Sequence, residues 1–313
     1  MNERLLALLA GVVTLAATIS CSDSNSAAKA PASMPPHAAG TNQQVFQVKG
    51  LVKEVQPDRK KVKIAHEEIP GYMEAMTMML DVKDAAELAG LTPGDTISFR
   101  MIVTEDDGWI DRITRLSSGS LVETSAPPTF RRAREVEPLN VGDAMPDYPF
   151  TNQLGQAVRL SDYKGQAVAL TFIFTRCPFP TFCPRMTDNF YAAHNKLKAM
   201  TNGPANWHLL TVSFDPEFDT PAALTRYASR YKYDPKQWSF CTGDLTEITA
   251  LTEQFGLQFW KEGGTINHNL RTVVIDAQGR VQWIKRENEW KADELVAEII
   301  KATQASKAPP SGG

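Results

Sequence analysis

The chain has 313 residues, of which 42% are hydrophobic and 22% charged, and carries a formal net charge of −3 at neutral pH. That length suits one large domain or two ordinary ones with tails, and the apolar share can build a core, which excludes a mainly disordered chain. There is no overall basic field, so no nucleic-acid partner is expected. Four cysteines, at positions 21, 177, 183 and 241, are too few for a disulfide-stapled scaffold, and each is read from its own surroundings.

In chain order, Leu5 to Ser20 carries no charge, follows Arg4 and stops at Cys21. An apolar stretch of that length reads as a signal peptide over residues 1–20 and is short for a spanning helix. Thr18-Ile19-Ser20 resembles a bacterial lipoprotein cleavage box, although its first position more often holds Leu. The resemblance implies lipidation of Cys21 and a periplasm-facing lipoprotein of the bacterial cell envelope, attached to the membrane through its N-terminal lipid. An uncleaved anchor or an ordinary secretory signal would also export the chain. Residues 21–44, rich in Ser, Ala, Pro and Asn, cannot offset the entropy of ordering and read as a flexible tether.

Alternation then begins. Val45, Val48, Leu51 and Val55, then Val62 and Ile64, then Ile97, Phe99, Met101 and Val103, then Trp109, Ile110 and Ile113 predict short antiparallel strands. Turns are marked by Pro57-Asp58, Pro70-Gly71, Pro93-Gly94-Asp95 and Asp106-Asp107-Gly108. Residues 45–116 therefore read as a small all-β, OB-like barrel. Within it, His66 is followed by Met73, Met76, Met78 and Met79, which with Met101 make five of the chain's ten methionines. On a strand, Met76 and Met78 share a face while Thr77 points away. Thioethers with one imidazole suit Cu(I) and do not form disulfides, while packing of the barrel core is the alternative use of these residues.

His66 followed by Met76-Thr77-Met78 on the next strand resembles the CusF-type periplasmic copper-binding domain. The resemblance implies His66, Met76 and Met78 as Cu(I) ligands. Where that family has a capping Trp, three residues before the first Met, this chain has Met73, which removes the cap and offers a third sulfur.

A second Pro/Ser-rich break, taken as residues 117–136, leads to a larger module over residues 137–304, and residues 305–313 read as a disordered tail. Gln166 to Thr175 is almost continuously apolar or β-branched, as a strand buried on both faces would be. It runs into Arg176-Cys177-Pro-Phe-Pro-Thr-Phe-Cys183-Pro184, after which Met186, Phe190, Ala193, Leu197 and Met200 trace a helical stripe. A helix N-terminus lowers the pKa of a nearby thiol, so a reactive thiolate is expected in this turn. A strand from His208 to Phe214, a helix from Thr220-Pro221 to about Tyr233, a helix near Leu245 to Phe255, a hairpin pairing Leu270 to Ile275 with Arg280 to Ile284, and a helix over Glu289 to Thr303 complete an α/β order of thioredoxin-like type. In such folds the loop before the hairpin lies beside the cysteine turn, which brings His268 toward Cys177 and Cys183 as an S₂N copper site.

This order, with the Cys…Cys-Pro turn, VSFDPEFDTP and a histidine before a strand ending in Ile-Asp-x-x-Gly, resembles the Sco (SenC) family of copper chaperones. The resemblance implies Cys177, Cys183 and His268 as copper ligands, holding Cu(I) or Cu(II), and Asp215 close behind them. It implies copper delivery to, or thiol reduction at, the copper-centre subunit of cytochrome c oxidase, or another periplasmic copper protein as partner. The family usually keeps three residues between its cysteines, and this chain has five. A thiol-disulfide oxidoreductase using Cys177 and Cys183 as its redox pair is the rival reading, and a copper buffer for metal tolerance is a third. Cys241 reads as a buried free thiol, and His37, His194 and His208 as structural or solvated residues.

Overall fold

The computed structural model describes residues 43–119, 135–262 and 265–305. The signal segment, Cys21, His37, most of the tether, the centre of the linker and the tail from residue 306 lie outside the described residues.

The alternation of the first third builds five antiparallel strands: β1 (Gln44–Val55), β2 (Lys61–His66), β3 (Met76–Asp81), β4 (Thr96–Val103) and β5 (Gly108–Ser117), in the order β3-β2-β1-β4-β5. On β2 and β3 the period is strict: Val62, Ile64 and His66 face inward, as do Met76, Met78 and Leu80. The two outer strands approach each other through a parallel bridge between Val82 and Ile110, and Lys83 donates its N–H to Ile110 O at 2.9 Å, so the sheet curls into a barrel. Gly50, opposite His66, sits so close to Ile64 Cγ2 that no side chain fits there.

The rest of the chain runs β6 (Pro149–Asn152), β7 (Ala157–Arg159), β8 (Ala167–Ile173), α1 (Cys183–Ala199), β9 (Trp207–Ser213), α2 (Pro221–Ala228), β10 (Trp238–Thr242), α3 (Leu245–Gln254), β11 (Phe259–Glu262), β12 (Thr265–His268), β13 (Arg271–Ile275), β14 (Val281–Arg286) and α4 (Ala292–Gln304). Seven of these strands form one sheet, β14-β13-β8-β9-β10-β6-β7, and β11 and β12 make a separate ribbon. The parallel trio β8, β9 and β10, flanked by the antiparallel β13–β14 hairpin, gives this domain its thioredoxin-like form. Every residue of β8, β9, β10 and β13 is buried, which is why β8 reads as a nearly unbroken apolar run.

Several elements differ from expectation. The helix after Thr220-Pro221 stops at Ala228, five residues short of Tyr233, where the Ser229 hydroxyl turns back to donate to Arg226 O at 2.8 Å. β10 and the β6–β7 hairpin carry too little alternation to be legible. His268 lies at the end of a strand, β12, where a loop was expected.

Barrel and sheet belong to one compact unit and touch directly. The Thr77 N–H donates to Asn267 Oδ1 at 2.9 Å, the Tyr72 hydroxyl to Pro178 O at 3.2 Å, and Arg185 Nη2 to Asp106 O at 2.9 Å and Asp107 Oδ1 at 3.1 Å.

Candidate metal centres

β8 delivers the chain through Phe174, Thr175 and Arg176 to Cys177, whose N–H donates to Phe174 O at 3.2 Å. The next five residues fold back on themselves, Phe182 N–H to Phe179 O at 3.1 Å and Arg185 N–H to Pro180 O at 3.0 Å, so that α1 starts at Cys183 with Pro184 in its first turn. β12 brings His268 to the same place. Its Nδ1 donates to Asn269 O at 3.0 Å, which turns Nε2 toward the thiols, 3.7 Å from Cys183 Sγ. The two sulfurs and one imidazole nitrogen all lie within 4.8 Å of one another. Rings of Phe174, Phe182 and Phe214 stand 5.5, 5.9 and 5.0 Å from the imidazole, giving the cluster an apolar wall.

The electrostatics separate the two thiols. Burial opposes ionisation of Cys177, but hydrogen bonds from Cys183 and His268 and the imidazole's charge outweigh it and hold this thiol well below its usual value. Cys183 is pushed well above that value by burial and by the neighbouring Cys177. Of the two thiols in the turn, Cys177 is the one held low and Cys183 the one held up, because the pair shares one site and can hold one negative charge more easily than two. Two soft sulfurs and an imidazole nitrogen turned toward them form a donor set fitted to a soft cation such as copper.

Asp215 turns to Arg176, which donates from Nη2 to Oδ2 at 2.7 Å, and stays 2% exposed. The carboxylate whose charge acts on Cys183 is instead Asp219. It is fully buried and accepts hydrogen bonds from the Thr175 N–H at 2.9 Å and from the Ser213 and Thr175 hydroxyls, both at 2.5 Å. Burial raises its own pKa. The only sequence signal for Asp219 was the second aspartate of the FDPEFDTP segment.

In the barrel, the register sets His66 opposite Met76, and Met73, Met76 and Met78 are all buried with it. His66 Nδ1 donates to Glu67 O at 2.7 Å, the same use of the following carbonyl as at His268. His66 Nε2 is buried and has no hydrogen-bond partner, and burial lowers the imidazole's pKa, keeping it neutral. A neutral imidazole with its second nitrogen open among thioethers fits a soft monovalent metal and leaves a costly unpaired polar atom otherwise. Met101 is fully buried on β4, whereas Met79 lies half-exposed on the other face of β3.

The other candidates are structural. Cys241 is fully buried on β10, where burial pushes its thiol far up. His194 Nε2 accepts the Asp234 N–H at 3.3 Å, and His208 Nε2 pairs with Ser239 Oγ at 2.9 Å.

Comparison with known proteins matches residues 137–304 to the SCO1/SenC family model and residues 45–115 to the model of the copper binding periplasmic protein CusF. The SCO1 protein homolog of Bacillus subtilis (strain 168) is 35% identical over 126 residues, 40% of this chain and 60% of that protein. The mitochondrial protein SCO2 homolog of Bos taurus is 27% identical over 113 residues, 36% of this chain and 40% of that protein. The chain thus spans at most 60% of the length of these curated relatives. Among solved structures, a SCO1/SenC family lipoprotein from Bacillus anthracis str. Ames is similar with TM-score 0.46 and 25% identity, over 53% of this chain and 96% of the other. Bradyrhizobium japonicum ScoI with copper bound gives TM-score 0.42 and 26% identity, over 52% and 99%. With the matched region filling more than half of its length, the chain belongs to the SCO1/SenC family and carries a CusF-like segment ahead of the family domain.

Proposed function

We propose that this protein is an exported copper chaperone built from a barrel module, residues 45–116, and a Sco-type module, residues 137–304. The observation that carries the reading is the convergence of Cys177 Sγ, Cys183 Sγ and His268 Nε2 within 4.8 Å. These three are the proposed ligands of the second site, which takes Cu(I) or Cu(II). His66, Met76 and Met78, with Met73 as a further sulfur, are the proposed Cu(I) ligands of the first. The unpartnered His66 Nε2 supports that assignment.

The proposed destination, the copper-centre subunit of cytochrome c oxidase, follows the family's role. The proposed setting is the cell envelope, with Cys21 lipidated and the chain facing the periplasm. No described helix is long and apolar enough to cross a membrane. The longer Cys–Cys loop changes the sulfur bite and the reduction potential relative to a three-residue spacing.

Copper titration of the intact chain tests the reading. The expected result is two sites, one lost in Cys177→Ser/Cys183→Ser and the other in His66→Ala, with sulfur-to-Cu(II) charge transfer present only when the cysteines are. A stoichiometry unaffected by either change overturns it. The lowered Cys177 thiol favours a dithiol oxidoreductase as the second reading, which requires reductase turnover by the metal-free chain that is lost in Cys177→Ser and only weakened in His268→Ala. A buffer without a delivery target would leave oxidase assembly unchanged in a deletion strain.

A further inference from the structure

Two hydrogen bonds join the barrel to the Sco-type domain at residues adjacent in sequence to the proposed ligands. Thr77, which donates to Asn267 Oδ1, stands between Met76 and Met78, and Asn267 immediately precedes His268. Tyr72, which donates to Pro178 O, immediately precedes Met73, and Pro178 immediately follows Cys177. Both contacts therefore lie one residue from a donor of each centre.

The contacts are built in. β3 is an outer strand of its sheet, and an outer strand presents N–H groups that need a partner; fully buried Asn267 supplies one. Phe46 stacks on Tyr72 with ring centroids 4.6 Å apart and 12° between planes, which fixes the hydroxyl's direction. Phe179, 2% exposed, packs against Gly108 of β5 so closely that a Cβ there would lie 2.6 Å from Phe179 Cζ. Pro178 and Phe179 both belong to the five-residue segment between the cysteines, so the loop that is long for the family is the one that meets the barrel.

We propose, on the copper reading above, that this face is an internal relay: docked as seen, it passes Cu(I) from the His66/Met site to the Cys177/Cys183/His268 site within one chain, with the long cysteine loop as its docking element. Copper keeps its oxidation state. Bonds to the His66 nitrogen and the methionine sulfurs break as bonds to the two cysteine sulfurs and the His268 nitrogen form, and any thiol proton displaced by the metal leaves to solvent. The direction is set by donor charge, from neutral thioethers to thiolates.

The test uses the intact chain, loaded with one equivalent of Cu(I), with occupancy of the cysteine site followed by its thiolate-to-copper absorption. Transfer is expected to be independent of protein concentration and at least about tenfold slower in Gly108→Leu, which wedges Phe179 away and removes the local advantage of a docked partner. Each site's equilibrium copper affinity should stay unchanged, and the Thr77 amide should lose hydrogen-exchange protection. Asn267→Ala/Tyr72→Phe gives an independent disruption if the leucine variant fails to fold. Unchanged transfer in a variant whose Thr77 amide has become exposed overturns the relay while leaving both copper sites standing. Transfer that scales with protein concentration in the unaltered chain overturns it too. Failure of His66→Ala to remove a copper site overturns the reading on which the relay rests, and the relay with it.

Discussion

Arg176, the residue before Cys177, donates to the all but inaccessible carboxylate of Asp215 at 2.7 Å while its guanidinium lies 4.2 Å over the Phe218 ring. The pair ties the end of β8 to the segment after β9. Because Arg176 remains 41% exposed, water screens the bond, and Asp215→Asn is expected to cost only about 1–2 kcal/mol. Urea unfolding checks this, and copper affinity of the cysteine site should hardly move. A copper-affinity loss larger than the stability loss would make Asp215 part of the metal site.

His268→Ala should weaken copper binding at the cysteine site by about 10- to 100-fold or more, since it removes a ligand that Asn269 O has already oriented. Binding at the barrel should be unaffected. Competition with a Cu(I) chelator, run on the intact chain, measures both. Unchanged affinity at the cysteine site would remove the imidazole from the ligand set.

His66→Leu separates affinity from stability. It deletes the buried Nε2 that lacks a hydrogen-bond partner together with the Nδ1 bond to Glu67 O, opposing effects of about 1 kcal/mol each, so the apo protein's stability should change little. The stabilisation that Cu(I) gives the barrel should disappear. Met76→Leu, close to volume-conserving, should cost less than about 1.5 kcal/mol and still weaken the metal. Thermal unfolding with and without Cu(I) reads both effects, and a strong apo destabilisation by His66→Leu would mark the histidine as structural.

Burial drives the His208 imidazole from its usual 6.5 down to about 4 in the folded protein. Above pH 6.5 it is neutral in both states and contributes nothing. As pH falls below 6.5 the unfolded chain takes up a proton that the folded chain refuses, so stability declines until about pH 4, where the folded state binds it as well. The full loss is roughly 3 kcal/mol. His208→Gln should flatten this part of the profile, measured as the difference in unfolding free energy from the unaltered chain at pH 7, 5.5 and 4.5; parallel profiles would show that another group carries the acid sensitivity.

What could be read in advance follows from how local each signal is. The strand-to-turn-to-helix unit around Cys177 and Cys183 was legible because an apolar run, a proline in the first turn and a helical stripe are all short-range patterns. The inward face of Met76 and Met78 was legible for the same reason, through period two. β10 was not: five buried residues containing Ser239 and Cys241 show no alternation and suit a helix equally well. Asp219 and Asn267 escaped because their importance comes from what lies opposite them, Thr175 in one case and Thr77 in the other, across sequence separations that no periodicity spans.

The burial of Cys241 bears on how such a chain survives an oxidant. Three described thiols would allow three pairings, yet Cys241 lies fully buried on β10, outside the cluster that Cys177 and Cys183 share. Among the described thiols, oxidation of the folded domain is therefore expected to join Cys177 to Cys183, whose sulfurs already share one site, in a bond that a reductant can reverse.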